Sequence, residues 1–349
     1  MISSLAHVET LAVRCPNWVG DIVMATPVFE CLRANLPNAT IIGVLGRNAQ
    51  GALRDSPWFD GFVDAHDKSW AGFRQMRAQL RAYRPDAGIV LLNSLRSALT
   101  MRLSGVRTVY GYQREWRGPL LAGGPRVRRD AQGIVPIPMV EYYLEICRSL
   151  DLVIPEPVKP RLFIGEAARQ RGEALLEKHG IEKDDFVVGL NPGASFGASK
   201  CWPAEYFAEL AKLCRAHLAT KVVVLSGPGE EDIVQAIVDR AGTDVIALPA
   251  EQVDLEMLKP VVQRCNLMIT NDTGPRHYAV ALDVPVVVIM GPTDPRYTAA
   301  NLDQSVVVRK ELACSPCHLK VCPRQHECMT EIKPAEVFAA AEALLSACV

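Results

Sequence analysis

What this 349-residue sequence lacks narrows its function first. Its formal net charge is only −1, far from the basic excess of a general nucleic-acid binder, so no nucleic-acid partner is expected. No apolar run approaches the roughly 18–20 residues that span a bilayer. Residues 1–10 have neither a basic leader nor a long apolar core, so a signal peptide is not expected. The expectation is a soluble, cytoplasmic protein, with peripheral membrane contact left open. Several catalytic signatures are also missing. There is no Walker loop, no Gly-x-Gly-x-x-Gly after the first strand and no His-Glu-x-x-His pair. These absences argue against a P-loop NTPase, a nicotinamide dehydrogenase and a zincin. Without an Asp-x-Asp pair, a diphosphate bridged by metal in that manner is not supported either.

The 11 cysteines do not form a disulfide framework. Cys15, Cys31, Cys147, Cys214 and Cys265 sit inside apolar segments and read as small buried hydrophobes. Cys314, Cys317, Cys322 and Cys328 differ, because they cluster with His318 and His326 within fifteen residues. A structural zinc site is one reading of that cluster, although only the first pair has knuckle spacing. Reduced thiols or a redox-dependent disulfide are the others.

Short apolar runs alternate with amphipathic segments from Leu11 onward, the signature of a doubly wound parallel α/β sheet. Strands are expected at 11–15, 39–45, 62–63 and 86–92, and a helix at 22–33 with a kink at Pro27. The proline-rich stretch 154–160 reads as a stiff linker. A second α/β series begins at 186–190 and runs through 284–290, and an alanine-rich helix closes the chain at 334–347. The domain boundary falls in the interval 155–185, placed at 165/166.

Candidate chemistry gathers where predicted strands end, the edge at which open α/β sheets place their sites. Asn271-Asp272-Thr273-Gly274-Pro275-Arg276-His277 turns a buried strand into a helix. Asp272 or Thr273 can cap that helix, Pro275 suits its first turn, and its free N–H groups suit a phosphate. The loop Asn191–Pro203 is rich in small residues and carries Ser195 and Lys200. Glu230 and Glu231 follow another strand, where an acid can accept from ribose hydroxyls or merely favour the helix start. Asp21 follows the first strand with the same ambiguity. From Asn93 to Arg129, eight arginines face a single acid, Glu115, with Tyr110, Tyr112 and Trp116 interleaved. A one-sign field of this kind suggests an anionic ligand.

Taken in order, these motifs resemble a known family. Pro16-Asn17-Trp18-Val19-Gly20-Asp21 through Pro27 resembles the N-terminal signature of the lipopolysaccharide heptosyltransferases, glycosyltransferase family 9. Asn191-Pro192-Gly193-Ala194, Lys200 with Trp202-Pro203, and Asn271–His277 resemble its donor motifs. Residues 314–329 resemble a region peculiar to the branch that adds heptose to the first heptose of the inner core.

The resemblance implies a GT-B fold, with two Rossmann-like domains facing a cleft. Residues 1–165 would receive the acceptor and 166–333 would bind ADP-L-glycero-D-manno-heptose, with 334–349 crossing back to the first domain. It implies an inverting transfer with Asp21 as general base. Ser195, Lys200, Thr273 and Gly274 would hold the diphosphate. Asp272 and His277 would shape the pocket or touch the sugar, and Glu230 or Glu231 would take the ribose. The implied acceptor is an anionic, Kdo-bearing lipid A carrying heptose, at the inner membrane. Charge assigns Arg96, Arg114 and Arg117 to it, and Asn17 of the N-terminal motif is a further acceptor candidate. No cofactor and no catalytic metal are implied. Other branches of the family, a nucleotide-sugar 2-epimerase and a non-enzymatic nucleotide-binding module are the alternatives.

Overall fold

The structure, a computed structural model, describes residues 5–66, 69–131, 133–242 and 245–347. The first four and last two residues of the expected domains therefore lie outside the described residues. Contacts divide the chain into two units: Met1–Arg161 with Arg296–Ala300, and Leu162–Pro295 with Asn301–Val349. Among the described residues, no helix is long and apolar enough to cross a membrane.

In the first unit, β1 (Thr10–Arg14), β2 (Thr40–Leu45), β3 (Gly61–Asp64), β4 (Ala87–Val90) and β5 (Thr108–Gly111) form one parallel sheet ordered 3-2-1-4-5. A two-stranded hairpin, β6 (Arg129–Asp130) and β7 (Gly133–Ile134), follows. Ala12, Ile42, Val44, Val63 and Val90 supply the core on one face of the sheet, against Phe73, Met76 and Leu80 of helix Trp70–Tyr83. The helix expected at 22–33 is two helices, Val19–Met24 and Thr26–Asn35. Pro27 has no N–H to continue a ladder, so it sits in the first turn of the second helix. The Thr26 hydroxyl bonds Val23 O at the break.

The second unit repeats the design. β8 (Val187–Asn191), β9 (Lys221–Val224), β10 (Val245–Ala247), β11 (Leu267–Asn271), β12 (Val286–Ile289) and β13 (Ser305–Val308) are parallel and ordered 10-9-8-11-12-13. This is the Rossmann order, whose switch point lies between β8 and β11. Helix Pro334–Ala347 packs on helix Ala204–Leu218 and on β11, β12 and β13, inside the second unit. Val337, Phe338, Ala341 and Leu344 join that unit's core, which is why the helix stays there.

Candidate active site

The switch point of the second sheet is stitched by two asparagines at the strand ends. Asn191 Nδ2 donates to Thr270 Oγ1 across from β8 to β11. Asn271 Nδ2 donates to Pro192 O, and Asn271 Oδ1 accepts from Trp202 N. Both side chains are buried, so these bonds fix the loop after β8 against the elbow after β11. Ser195 lies exposed on that loop. Gly193 cannot carry a side chain, because its Cβ would fall on the Glu230 carboxylate. Glu230 is therefore brought to the end of β8, where it also accepts from Gly227 N at 2.7 Å. Glu231 remains exposed and accepts from Gly229 N. The structure thus separates two acids that the sequence left equivalent.

Lys200 meets the elbow directly. Its ammonium donates to Asp272 O and to Asp272 Oδ2, each at 2.8 Å, and stands 5.2 Å above the Phe196 ring. Thr293 donates to the same Oδ2 at 2.6 Å, and the Arg276 guanidinium takes Oδ1 at 2.9 Å. Asp272 is therefore no helix cap: both oxygens are engaged by cations and a hydroxyl. The cap position belongs to Thr273, whose side chain makes no capping bond. Although burial opposes it, the charges of Arg276 and Lys200 hold the Asp272 carboxyl well below its ordinary range. Burial and the Arg276 cation hold His277 neutral, pulled down to about 3. Two cations against one carboxylate leave net positive charge where helix Gly274–Ala281 begins, and the helix dipole adds to it. Such a site can bind a phosphate or stabilise one leaving.

The cysteine-rich segment supports this arrangement from behind. Ser199 N donates to Lys320 O at 3.0 Å, Ser199 Oγ donates to Leu319 O, and the His326 Nε2 is 2.6 Å from Ser199 O. Gly197 has φ +156° and lies so close to Lys320 O that a Cβ would collide. Cys317 N and His318 N both bond Pro292 O, and Cys328 packs beside Gly291. Cys314, Cys317, Cys322 and Cys328 are free thiols, and burial pushes Cys328 up to about 11. Among the described residues no group of three or more His, Cys, Asp or Glu side chains is set to hold a metal. The segment meets the Lys200 loop through its backbone, at Ser199 and Gly197.

In the first unit, Asp21 lies in the first turn of helix Val19–Met24, just beyond the carboxyl end of β1. Its Oδ1 accepts from the Tyr143 hydroxyl at 2.9 Å. Tyr143 comes from helix Met139–Arg148, and burial and the Asp21 charge push its phenol well above its ordinary value. It is thus a fixed donor. Asn17 is exposed, with its Oδ1 3.4 Å from the buried Arg14 guanidinium. No local pattern marks Tyr143, which is 122 residues from its partner.

The arginine field is less uniform than its sequence suggested. Arg107 reaches Asp86 and Arg128 pairs with Glu145 at 2.6 Å, acids from outside the stretch. Arg117 requires correction. It is 0% exposed, with Nε on Tyr112 O at 2.8 Å and its other nitrogens on Leu92 O and Asn93 Oδ1. Burial pulls its guanidinium down to about 10. Arg117 ties β5 to the turn after β4 and is not available to an acceptor. Arg114 is half-buried beside Glu115, while Arg96 is exposed on helix Leu95–Leu103.

Paired parallel sheets of Rossmann order, each with polar and charged groups at its carboxyl edge, are the architecture of the GT-B class of glycosyltransferases. The chain belongs to glycosyltransferase family 9, the heptosyltransferases, whose family model matches residues 73–327. It is 28% identical to lipopolysaccharide heptosyltransferase 2 of Salmonella typhimurium, over 84% of this chain and 86% of the relative. Lipooligosaccharide heptosyltransferase 2 of Campylobacter jejuni (serotype O:6) is 24% identical, over 93% of this chain and 96% of that one. Among solved structures, Escherichia coli ADP-heptose lipopolysaccharide heptosyltransferase II superposes with a TM-score of 0.78 at 25% identity, covering 97% and 98% of the two chains. The family match favours a transferase over the epimerase and the non-enzymatic alternatives.

Proposed function

We propose that this chain is an inverting transferase that moves L-glycero-D-manno-heptose from ADP-heptose to the first heptose of a lipopolysaccharide inner core. One observation carries the donor half of this reading. Lys200 is held on Asp272 at the start of helix Gly274–Ala281, at the switch point of the second sheet. A diphosphate arriving there meets an ammonium, first-turn N–H groups, and the Ser195 and Thr273 hydroxyls. Glu230, over Gly193, accepts from the ribose, and neutral His277 can bond a sugar hydroxyl. Departure of ADP builds negative charge that these groups are already arranged to stabilise.

Asp21 takes the proton of the incoming hydroxyl, so the anomeric carbon exchanges its phosphate oxygen for the acceptor oxygen in one displacement. Asn17, Arg96 and Arg114 face the anionic acceptor in this reading, which places the protein at the cytoplasmic face of the inner membrane. Cations come from the protein itself, and no cofactor enters the reading. Lys200→Ala should weaken ADP binding roughly ten- to a hundredfold, the worth of a hydrogen bond between charged groups. Calorimetric titration with ADP measures it, and unchanged affinity would remove the diphosphate assignment.

A further inference from the structure

Helix Leu95–Leu103 is built the wrong way round for a water-facing helix. It buries Ser97, Ala98, Thr100 and Met101 against the sheet. The buried hydroxyls are satisfied by the chain itself, Ser97 on Ser94 O and Thr100 on Ser97 O. Leu95, Leu99 and Leu103 recur every four residues and so form one stripe. That stripe is exposed, at 45%, 39% and 50%. Leucines are good helix formers, but propensity does not explain why the apolar side of an amphipathic helix faces outward.

The surroundings share this character. Helix Trp70–Tyr83 packs alongside, and its Arg77 Nε donates to Leu103 O at 3.0 Å. The two helices contain Arg74, Arg77, Arg81, Arg96 and Arg102 and not one aspartate or glutamate. The turn Gly118–Leu120 packs on the same helix, and just before it Trp116 is 94% exposed. Trp116 and Glu115 both have left-handed backbone, φ 61° and 53°, a conformation that costs free energy in non-glycine residues. Trp70, at the start of its helix, is also exposed, whereas Trp58 and Trp202 are buried. Exposed leucines and tryptophans, beside two helices that carry five arginines and no acid, are the composition of a surface that lies on anionic lipid.

We propose that the face formed by Leu95, Leu99 and Leu103, with Trp116 and the arginines of the two helices, docks on an anionic lipid bilayer. The leucines enter the acyl boundary, Trp116 sits at headgroup level, and the arginines meet lipid phosphates. Helix Leu95–Leu103 begins just after the carboxyl end of β4, the sheet edge that also carries Asp21, so docking at this face keeps that edge near the bilayer surface.

Cosedimentation of the full chain with vesicles tests this without any turnover, so its outcome is independent of the transfer reading. The chain should bind vesicles of phosphatidylglycerol and phosphatidylethanolamine, weaken with added salt, and bind phosphatidylcholine vesicles poorly. Leu95→Ser/Leu99→Ser/Leu103→Ser should lower binding on the order of tenfold or more, with unchanged melting temperature and unchanged activity on a water-soluble acceptor. Arg74→Gln/Arg81→Gln, which leaves the stripe intact, should remove much of the salt dependence. Equal vesicle binding by wild type and the serine variant would overturn the proposal. So would a wild-type dimer that the serine variant converts to monomer while neither binds vesicles, because a second copy would then be the occupant.

Discussion

Asp21→Asn should lower kcat/KM by roughly 10²–10⁴ while leaving ADP affinity and melting temperature at wild-type values. The size follows from the reaction. A sugar hydroxyl must lose its proton as it attacks the anomeric carbon, and an amide cannot accept that proton. Retention of the fold follows from the site. Asparagine keeps the shape of aspartate, and its Oδ1 still accepts from the Tyr143 hydroxyl that holds Asp21 in place. Loss confined to turnover therefore identifies a base rather than a packing residue. Steady-state ADP release with a heptose-bearing acceptor, alongside ADP titration, provides both readouts. A variant with near-wild-type turnover would place the base elsewhere.

Asp272→Ala should destabilise the protein by about 3–5 kcal/mol, the cost of removing one partner from a buried ion pair. Arg276 is 2% exposed and would lose its carboxylate, and Lys200 and Thr293 would lose the same acceptor. The pH dependence has a definite sign. The folded Asp272 carboxyl lies well below its ordinary 3.8, so its contribution is present above that value and is lost as pH falls toward the folded one. The gap between wild type and Asp272→Ala should therefore be widest near neutrality and narrow under strong acid. Urea denaturation at pH 7 and pH 3 measures both points, and a gap that grows on acidification would contradict the pairing.

Much of the fold was readable because buried parallel strands are unbroken apolar runs, as in β8 and β12. Helix Leu95–Leu103 and β5 were not, and the reason is physical. The helix hides serine and threonine and displays leucine, which defeats a reading based on apolar periodicity. β5 and β13 are four-residue strands at sheet edges, too short to stand out. At the candidate site, Lys200, the Glu230–Glu231 pair and the elbow stood out in sequence because they follow strand ends, where open α/β sheets place their loops. The bonds among them did not. Lys200 and Asp272 are 72 residues apart, and nothing local distinguishes a lysine that grips a carboxylate from one in solvent. Arg117 shows the opposite error: in sequence it matched its exposed neighbours, but its nitrogens are committed to the backbone around β5.

The central claim is that heptose leaves ADP only when an acceptor hydroxyl takes its place. ADP release from ADP-heptose, measured with and without a Kdo-lipid A acceptor that already carries one heptose, tests it most directly. The account predicts release that depends on acceptor, with one heptose added for each ADP formed and the rate reduced in Lys200→Ala. Equal release without acceptor, or donor turnover that leaves the acceptor unmodified, would contradict it.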